Sequence, residues 1–270
     1  MKLPFRGLLA TACAFALIAP AASAADVTVR VEGADRTLQP TTAVTLPGPA
    51  VDKTAEGGTT CSTTSGGSAL EAAVGGDWGG RSDSFGQRVE HIRDVNLPFE
   101  GPRYWAFYIN DTAASVGLCG YTPQQGDEIL LYAACASPTS GCISGEPLDL
   151  KVPATVRPGE AFSVQVQEVK TTYGGAPNYE QTTTKTPASG ANGAGGGASA
   201  TTGGDGRASL TLSQRGPVTL VATKGSAVRE GVAVCVTDGA DGACGSSVPG
   251  QPGSGSSGTP FVADRISPLA

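Results

Sequence analysis

Histidine and methionine each occur once in this 270-residue chain, and aromatic residues make up only 6% of it. A lone His91 excludes sites in which two imidazoles cooperate. Neither a Gly-x-Ser-x-Gly elbow nor a His-Glu-x-x-His helix is present to set a base beside a nucleophile or a metal. The composition therefore argues against an enzyme. Basic residues are also scarce, with 18 Lys and Arg against 24 Asp and Glu. Without a basic stripe to hold phosphates, nucleic acid and anionic membrane surfaces are not expected partners. No apolar run reaches the ~20 residues of a membrane span.

The N-terminus carries Lys2 and Arg6, an apolar run from Gly7 to Ile18, and the small-residue pattern Ala22-Ser23-Ala24. This is the layout of a secretory signal peptide over residues 1–24, cut after Ala24. Removing Lys2 and Arg6 from the 18 basic residues leaves 16 against 24 acidic ones, a formal charge of −8. Six cysteines follow the leader: Cys61, Cys119, Cys135, Cys142, Cys235 and Cys244. An even number in an exported chain predicts disulfides. Cys135 with Cys142 and Cys235 with Cys244 are near enough to staple a loop, which leaves Cys61 for Cys119, although six cysteines allow about fifteen pairings. Zinc ligation is disfavoured by these gaps and by the single histidine.

With 39 Gly and 19 Pro, the chain is expected to be mostly β, built from short strands and many turns. Val27, Val29 and Val31 alternate with Thr28 and Arg30 as in a half-buried strand. Ser68 and Glu71 fit a capping box for a helix that carries Leu70 and Val74 and stops at Gly75. Further strands are expected over 87–92, 104–110 and 128–134. Together these make a small β-rich α+β domain with one packed helix over residues 26–142. A second domain, 145–244, has strands at 148–152, around Phe162 to Val166, at Ala208 to Leu212, 218–223 and 232–236. That pattern predicts a β-sandwich. Between them, the glycine-rich segment Gly190–Gly206 reads as a low-complexity loop, since it lacks the Lys-Ser/Thr ending of a phosphate-binding loop. Residues 245–270, rich in Gly, Ser and Pro, read as a disordered tail without a membrane span or wall-sorting signal.

His91 reads as an ordinary strand histidine. Asp238 and Asp241 fit a solvated turn better than a calcium loop, which needs a distal bidentate Glu. Asn110-Asp111-Thr112 matches the short glycosylation pattern. The stretch "YWAFYIND", residues 104–111, concentrates four rings in a chain poor in them. On a strand, Trp105, Phe107 and Ile109 share one face and Tyr104, Tyr108 and Asn110 the other. The first face is expected to be core. Tyr104 and Tyr108, with Trp78 and Tyr121 as neighbours, form the candidate surface for a flat ligand.

Read in order, "ALEAAV", "VEHI", "YWAFYIND" and "VGLCGYTPQQGDEILLY" resemble the transcobalamin-like C-terminal domain, a family found in exported bacterial proteins and related to the C-terminal domain of vitamin-B12 carriers. Tyr104, Trp105, Asn110, Gly117, Tyr121, Gly126 and Asp127 carry the resemblance, which spans about 27–134. It implies an exported module of two small sheets and a helix, and cobalamin as a possible ligand. Residues from "TVRPGEAFSVQV" to "GPVTLVATKGSAVREGVAVCV" are similar to bacterial immunoglobulin-like surface domains, which implies a spacer or contact role. The reading is a secreted or loosely surface-associated, non-enzymatic binding protein for an extracellular ligand or cell-envelope component. A corrinoid carrier and a structural surface or matrix component are its alternatives.

Overall fold

The computed structural model describes residues 24–84, 86–98, 100–136, 142, 145–175, 181–239, 242 and 244. The leader up to residue 23, Asp241 and the tail from residue 245 lie outside them. The described chain is mostly β with one α-helix, and it holds two principal cores, one drawn from residues 27–133 and one from 148–236.

The N-terminal unit is a five-stranded sheet made by β1 (Ala25–Glu32), β2 (Thr37–Leu46), β3 (Arg103–Ile109), β4 (Thr112–Ala113) and β5 (Glu128–Cys135). The spatial order is β4-β3-β5-β1-β2, with β1 parallel to β5 and the other pairs antiparallel. Val27, Val29 and Val31 enter the core, but β1 is not half-buried as its alternation predicts: Arg30 and Glu32, on its other face, are fully buried as well. The C-terminal unit covers that face. β2 has no clean alternation in sequence because Pro40 lies at a bulge, where Val29 pairs with Thr42 but Val31 with Gln39. The expected strand over 87–92 is two fragments, Gly86–Gln87 and His91–Ile92, in separate small ladders.

The helix, α1 (Gly66–Val74), packs Ala69, Leu70 and Val74 onto the sheet. Its N-cap is Ser65, one turn earlier than the capping box suggests: the Ser65 hydroxyl accepts from the Ser68 amide at 3.2 Å. Ser68 instead donates to the Pro49 carbonyl at 2.7 Å. Gly75 closes the helix in the left-handed conformation as expected. The Cys61–Cys119 disulfide lies against the first turn, where a Cβ at Gly67 would stand 2.6 Å from the Cys61 sulfur. Cys135–Cys142 and Cys235–Cys244 form the other two bridges.

The C-terminal unit is a β-sandwich. One sheet pairs β6 (Leu148–Lys151) with one edge of β8 (Ala161–Tyr173), while β9 (Gln181–Pro187) and β12 (Arg207–Thr211) share the other edge end to end. The second sheet runs β7-β14-β13-β10-β11, from β7 (Thr155–Val156), β10 (Asn192–Gly195), β11 (Ala198–Thr201), β13 (Gly216–Thr223) and β14 (Glu230–Val236). A first strand split between both sheets, with its second half parallel to the last strand, gives the order of an immunoglobulin-type sandwich. The glycine-rich segment is thus not a loop. Gly196 and Gly197, with φ of 56° and 80°, make a two-residue turn that joins β10 to β11.

The two units meet across the face of the N-terminal sheet opposite α1. Ala106, Tyr108, Leu130, Tyr132 and Ala134 form a small core there against Val228. Around it, Arg30 Nη1 donates to the Arg229 carbonyl at 2.6 Å, and Arg229 pairs with Glu32 at 3.1 Å. Lys185 bridges Asp111 of one unit and Asp149 of the other at 2.5 and 2.8 Å.

Candidate binding site

Strand β3 divides its aromatic residues as the alternation predicts. Trp105 and Phe107 join the α1-side core, whereas Ala106 and Tyr108 join the seam between units. Tyr108 lies 5.3 Å from Tyr132, ring to ring, so its partner is a tyrosine of β5. The proposed stacking surface does not assemble. Trp78 is only 1% exposed on the α1 side of the sheet, where its Nε1 donates to Glu71 at 2.7 Å and Lys53 lies 4.9 Å over its ring. Tyr121 packs edge-on against Phe107, at 6.1 Å, and so lies on the same side as Trp78. Tyr104 and Tyr108 are on the other face, with a layer of sheet between the two pairs.

Tyr121 belongs to a polar corner that closes the sheet. Asp127 accepts from the Tyr121 hydroxyl at 2.5 Å, from the Gln124 amide at 2.7 Å and from Asn110 Nδ2 at 2.7 Å. Asn110 Oδ1 in turn accepts from the Glu128 amide at 2.9 Å. Burial tends to raise the Asp127 carboxyl, but these hydrogen bonds outweigh it and hold the group below the ordinary range. Burial and the Asp127 bond both push the Tyr121 phenol up. Three of the seven residues that carry the resemblance, Asn110, Tyr121 and Asp127, therefore fix this corner, and Gly126 beside them donates its amide to the Asp26 carbonyl at 2.8 Å. Asn110 is committed at both ends of its amide and stands in a left-handed turn with φ of 49°, so a glycan on Nδ2 would break its bond to Asp127.

Tyr104 and Trp105 do reach a cavity. β4 pairs only Tyr108 and Ile109, so the start of β3 lies beyond the covered part of that edge. Here a recess of about 350 Å³ is lined by Arg88, Val89, Leu97, Tyr104, Trp105 and Ala136, within the size range of small-molecule sites. Tyr104 is 42% exposed at it, and Trp105 is 6% exposed with its indole Nε1 buried and without an acceptor. Such an orphan donor costs about 1–3 kcal/mol. Arg88 is engaged, giving Nη1 to Asp83 at 2.7 Å and Nη2 to Glu90 at 3.1 Å. A wider groove of about 460 Å³ in the C-terminal unit is walled partly by Glu146, Glu168, Lys170 and Lys224, with Lys224 and Glu168 paired at 3.1 Å.

Sequence reading put Tyr104 on a stacking surface with Tyr108, Trp78 and Tyr121, and Trp105 in the core, where the structure packs it. It missed Val89, Leu97 and Arg88, because nothing in the sequence brings residues 88–97 beside the start of β3. His91, in a two-residue strand, has Nε2 3.9 Å from Glu56. Among the described residues no group of three or more His, Cys, Asp or Glu is placed to hold a metal, and no helix is long and apolar enough to cross a membrane. The sequence matches no protein-family model, and no curated protein matches it.

Proposed function

We propose that this chain is an extracellular, non-enzymatic binding protein whose N-terminal unit takes a small ligand in the Trp105 recess, with the C-terminal sandwich as a rigid mount. The observation that carries this reading is a recess of ligand size, about 350 Å³, walled by Tyr104, Trp105, Val89 and Leu97. The leader-like N-terminus and three disulfides support an oxidising, exported setting. The resemblance to transcobalamin-like domains supports a binding role, but a corrinoid is far larger than this recess, and the four aromatic residues that suggested one are split across the sheet. The favoured ligand is accordingly smaller.

The test is ligand-observed NMR of the oxidised chain against a panel of small neutral fragments, repeated with Trp105→Phe. Binders at millimolar Kd or better, equivalent to about −4 kcal/mol, whose signal weakens in the variant would support the recess. A panel with no binder at all would remove it. Turnover of any compound that one side-chain change abolishes would overturn the non-enzymatic assignment.

A further inference from the structure

We propose that β2 takes a further strand from the chain's own C-terminal segment, residues 260–266, which folds back and pairs with the open edge of the N-terminal sheet. The hydrogen bonds of β1 show which way that edge points. Thr28 donates its amide to the Asp127 carbonyl and Asp26 accepts from the Gly126 amide, so these two residues turn their main chain toward β5, and Val27 and Val29 turn theirs toward β2. The partners of Val27 and Val29 are Val44 and Thr42, so Ala43 and Thr45 aim amide and carbonyl away from the sheet. Both residues are exposed, and among the described residues neither main chain has a hydrogen-bond partner on that side. Sheet edges are normally blunted by charged side chains or proline, or else covered. The stretch from Thr41 to Leu46 contains neither charge nor proline, so a cover is what this edge lacks.

The occupant follows from the chain beyond Cys244. Residues 245–259 are Gly, Ser, Pro, Gln and Thr with one Val, a tether by composition, whereas Phe261, Val262 and Ile266 restore strand-forming side chains. That tether starts close to β2. Cys244 is bridged to Cys235 of β14 with 6.0 Å between their Cα atoms, and Gly231, four residues back along β14, accepts from the Thr41 hydroxyl at 2.9 Å. At ~3.3 Å per strand residue this path puts Ala43 and Thr45 within about 40 Å of Cys244. The tether, fully extended, spans roughly 50 Å, and at this length it holds the segment near the edge at about millimolar effective concentration.

Amide hydrogen exchange, followed residue by residue by NMR on the ¹⁵N-labelled, oxidised chain, tests the pairing. Ala43 and Thr45 are expected to exchange at least about tenfold more slowly in the full chain than in one ending at Thr259, and dilution is expected to leave that protection unchanged. Val44, whose amide faces β1, is expected to stay equally protected in both chains. Neighbouring strand residues present their amides to opposite sides, so in the double variant Val262→Pro, Ala263→Pro one lost N–H must face β2. That variant is expected to match the shortened chain. Should the shortened chain lose the protection of Val44 as well, the double variant decides. Fast exchange at Ala43 and Thr45 in the full chain would overturn the proposal, as would protection that survives both changes. Protection that falls on dilution would overturn it in favour of a second copy of the chain at this edge.

Discussion

The guanidinium of Arg30, fully buried in the N-terminal sheet, donates to the main-chain carbonyl of Arg229 in the C-terminal unit at 2.6 Å. Burial opposes its charge, but Glu230, Glu128 and Glu32 together outweigh that and hold the guanidinium protonated. Removing it would leave Glu32, itself buried, with Arg229 as its remaining cation beside the Thr37 hydroxyl, a loss on the scale of about 3–5 kcal/mol. Both tryptophans lie in the N-terminal unit, so their emission follows that unit while circular dichroism follows both. In the wild type the two urea transitions are expected to coincide. In Arg30→Met the fluorescence midpoint is expected to fall and to separate from the dichroism midpoint; coincident transitions in the variant would mean that this contact does not couple the units.

Glu230 gives the seam a dependence on pH. One guanidinium cannot compensate every carboxylate around it: burial raises the Glu230 carboxyl, Arg30 lowers it, and Glu128 and Asp149 raise it further, to about 8. From its ordinary 4.5 up to about 8, the folded chain keeps a proton that the unfolded chain has lost. Stability therefore falls as pH rises through that window, by up to about 1.4 kcal/mol per pH unit from this group. Glu32, also raised, by burial against Arg30, Thr37 and Arg229, acts in the same sense. Glu230→Gln is expected to flatten the slope of urea midpoint against pH between 5 and 8 without abolishing it. A slope identical to wild type would show that Glu230 is ionised in the fold.

Local signals were legible in the sequence and long-range ones were not. The alternation in β3 sorted Trp105 from Tyr108 correctly, and Gly75 marked the helix end, because both depend on near neighbours along the chain. The burial of Arg30 is invisible locally, since it requires residues 229 and 230 to close over β1. Trp78 and Tyr121 looked like partners of Tyr104 only because sequence does not say which side of a sheet a distant segment covers. Gly196-Gly197 is a strong hairpin signal that the surrounding low complexity obscured.

The Asn110-Asp111-Thr112 pattern is expected to stay unmodified. Asn110 gives its amide nitrogen to Asp127 and its oxygen to the Glu128 amide, at 2.7 and 2.9 Å, within a turn that joins β3 to β4. A glycan on Nδ2 would break the first of these contacts. Expression through a eukaryotic secretory route followed by intact-mass measurement should give the unglycosylated mass; stoichiometric glycan at Asn110 would mean that this corner forms after, and despite, modification.

Gly195 tests whether the glycine-rich segment is structure or tether. A Cβ there would stand 2.2 Å from the Thr219 carbonyl oxygen and 3.1 Å from the Leu220 Cα, both backbone atoms of β13 that cannot turn aside. β10 would have to leave β13, so Gly195→Ala is expected to cost at least the ~1–3 kcal/mol of an overpacked site and to raise proteolysis within 188–206. A Cβ at Gly204, in the same segment, would meet nothing within 4 Å, and Gly204→Ala is expected to change the urea midpoint little. A loop of low complexity would tolerate both substitutions alike, so the contrast between the two midpoints, measured side by side, separates a close-packed hairpin from a tether.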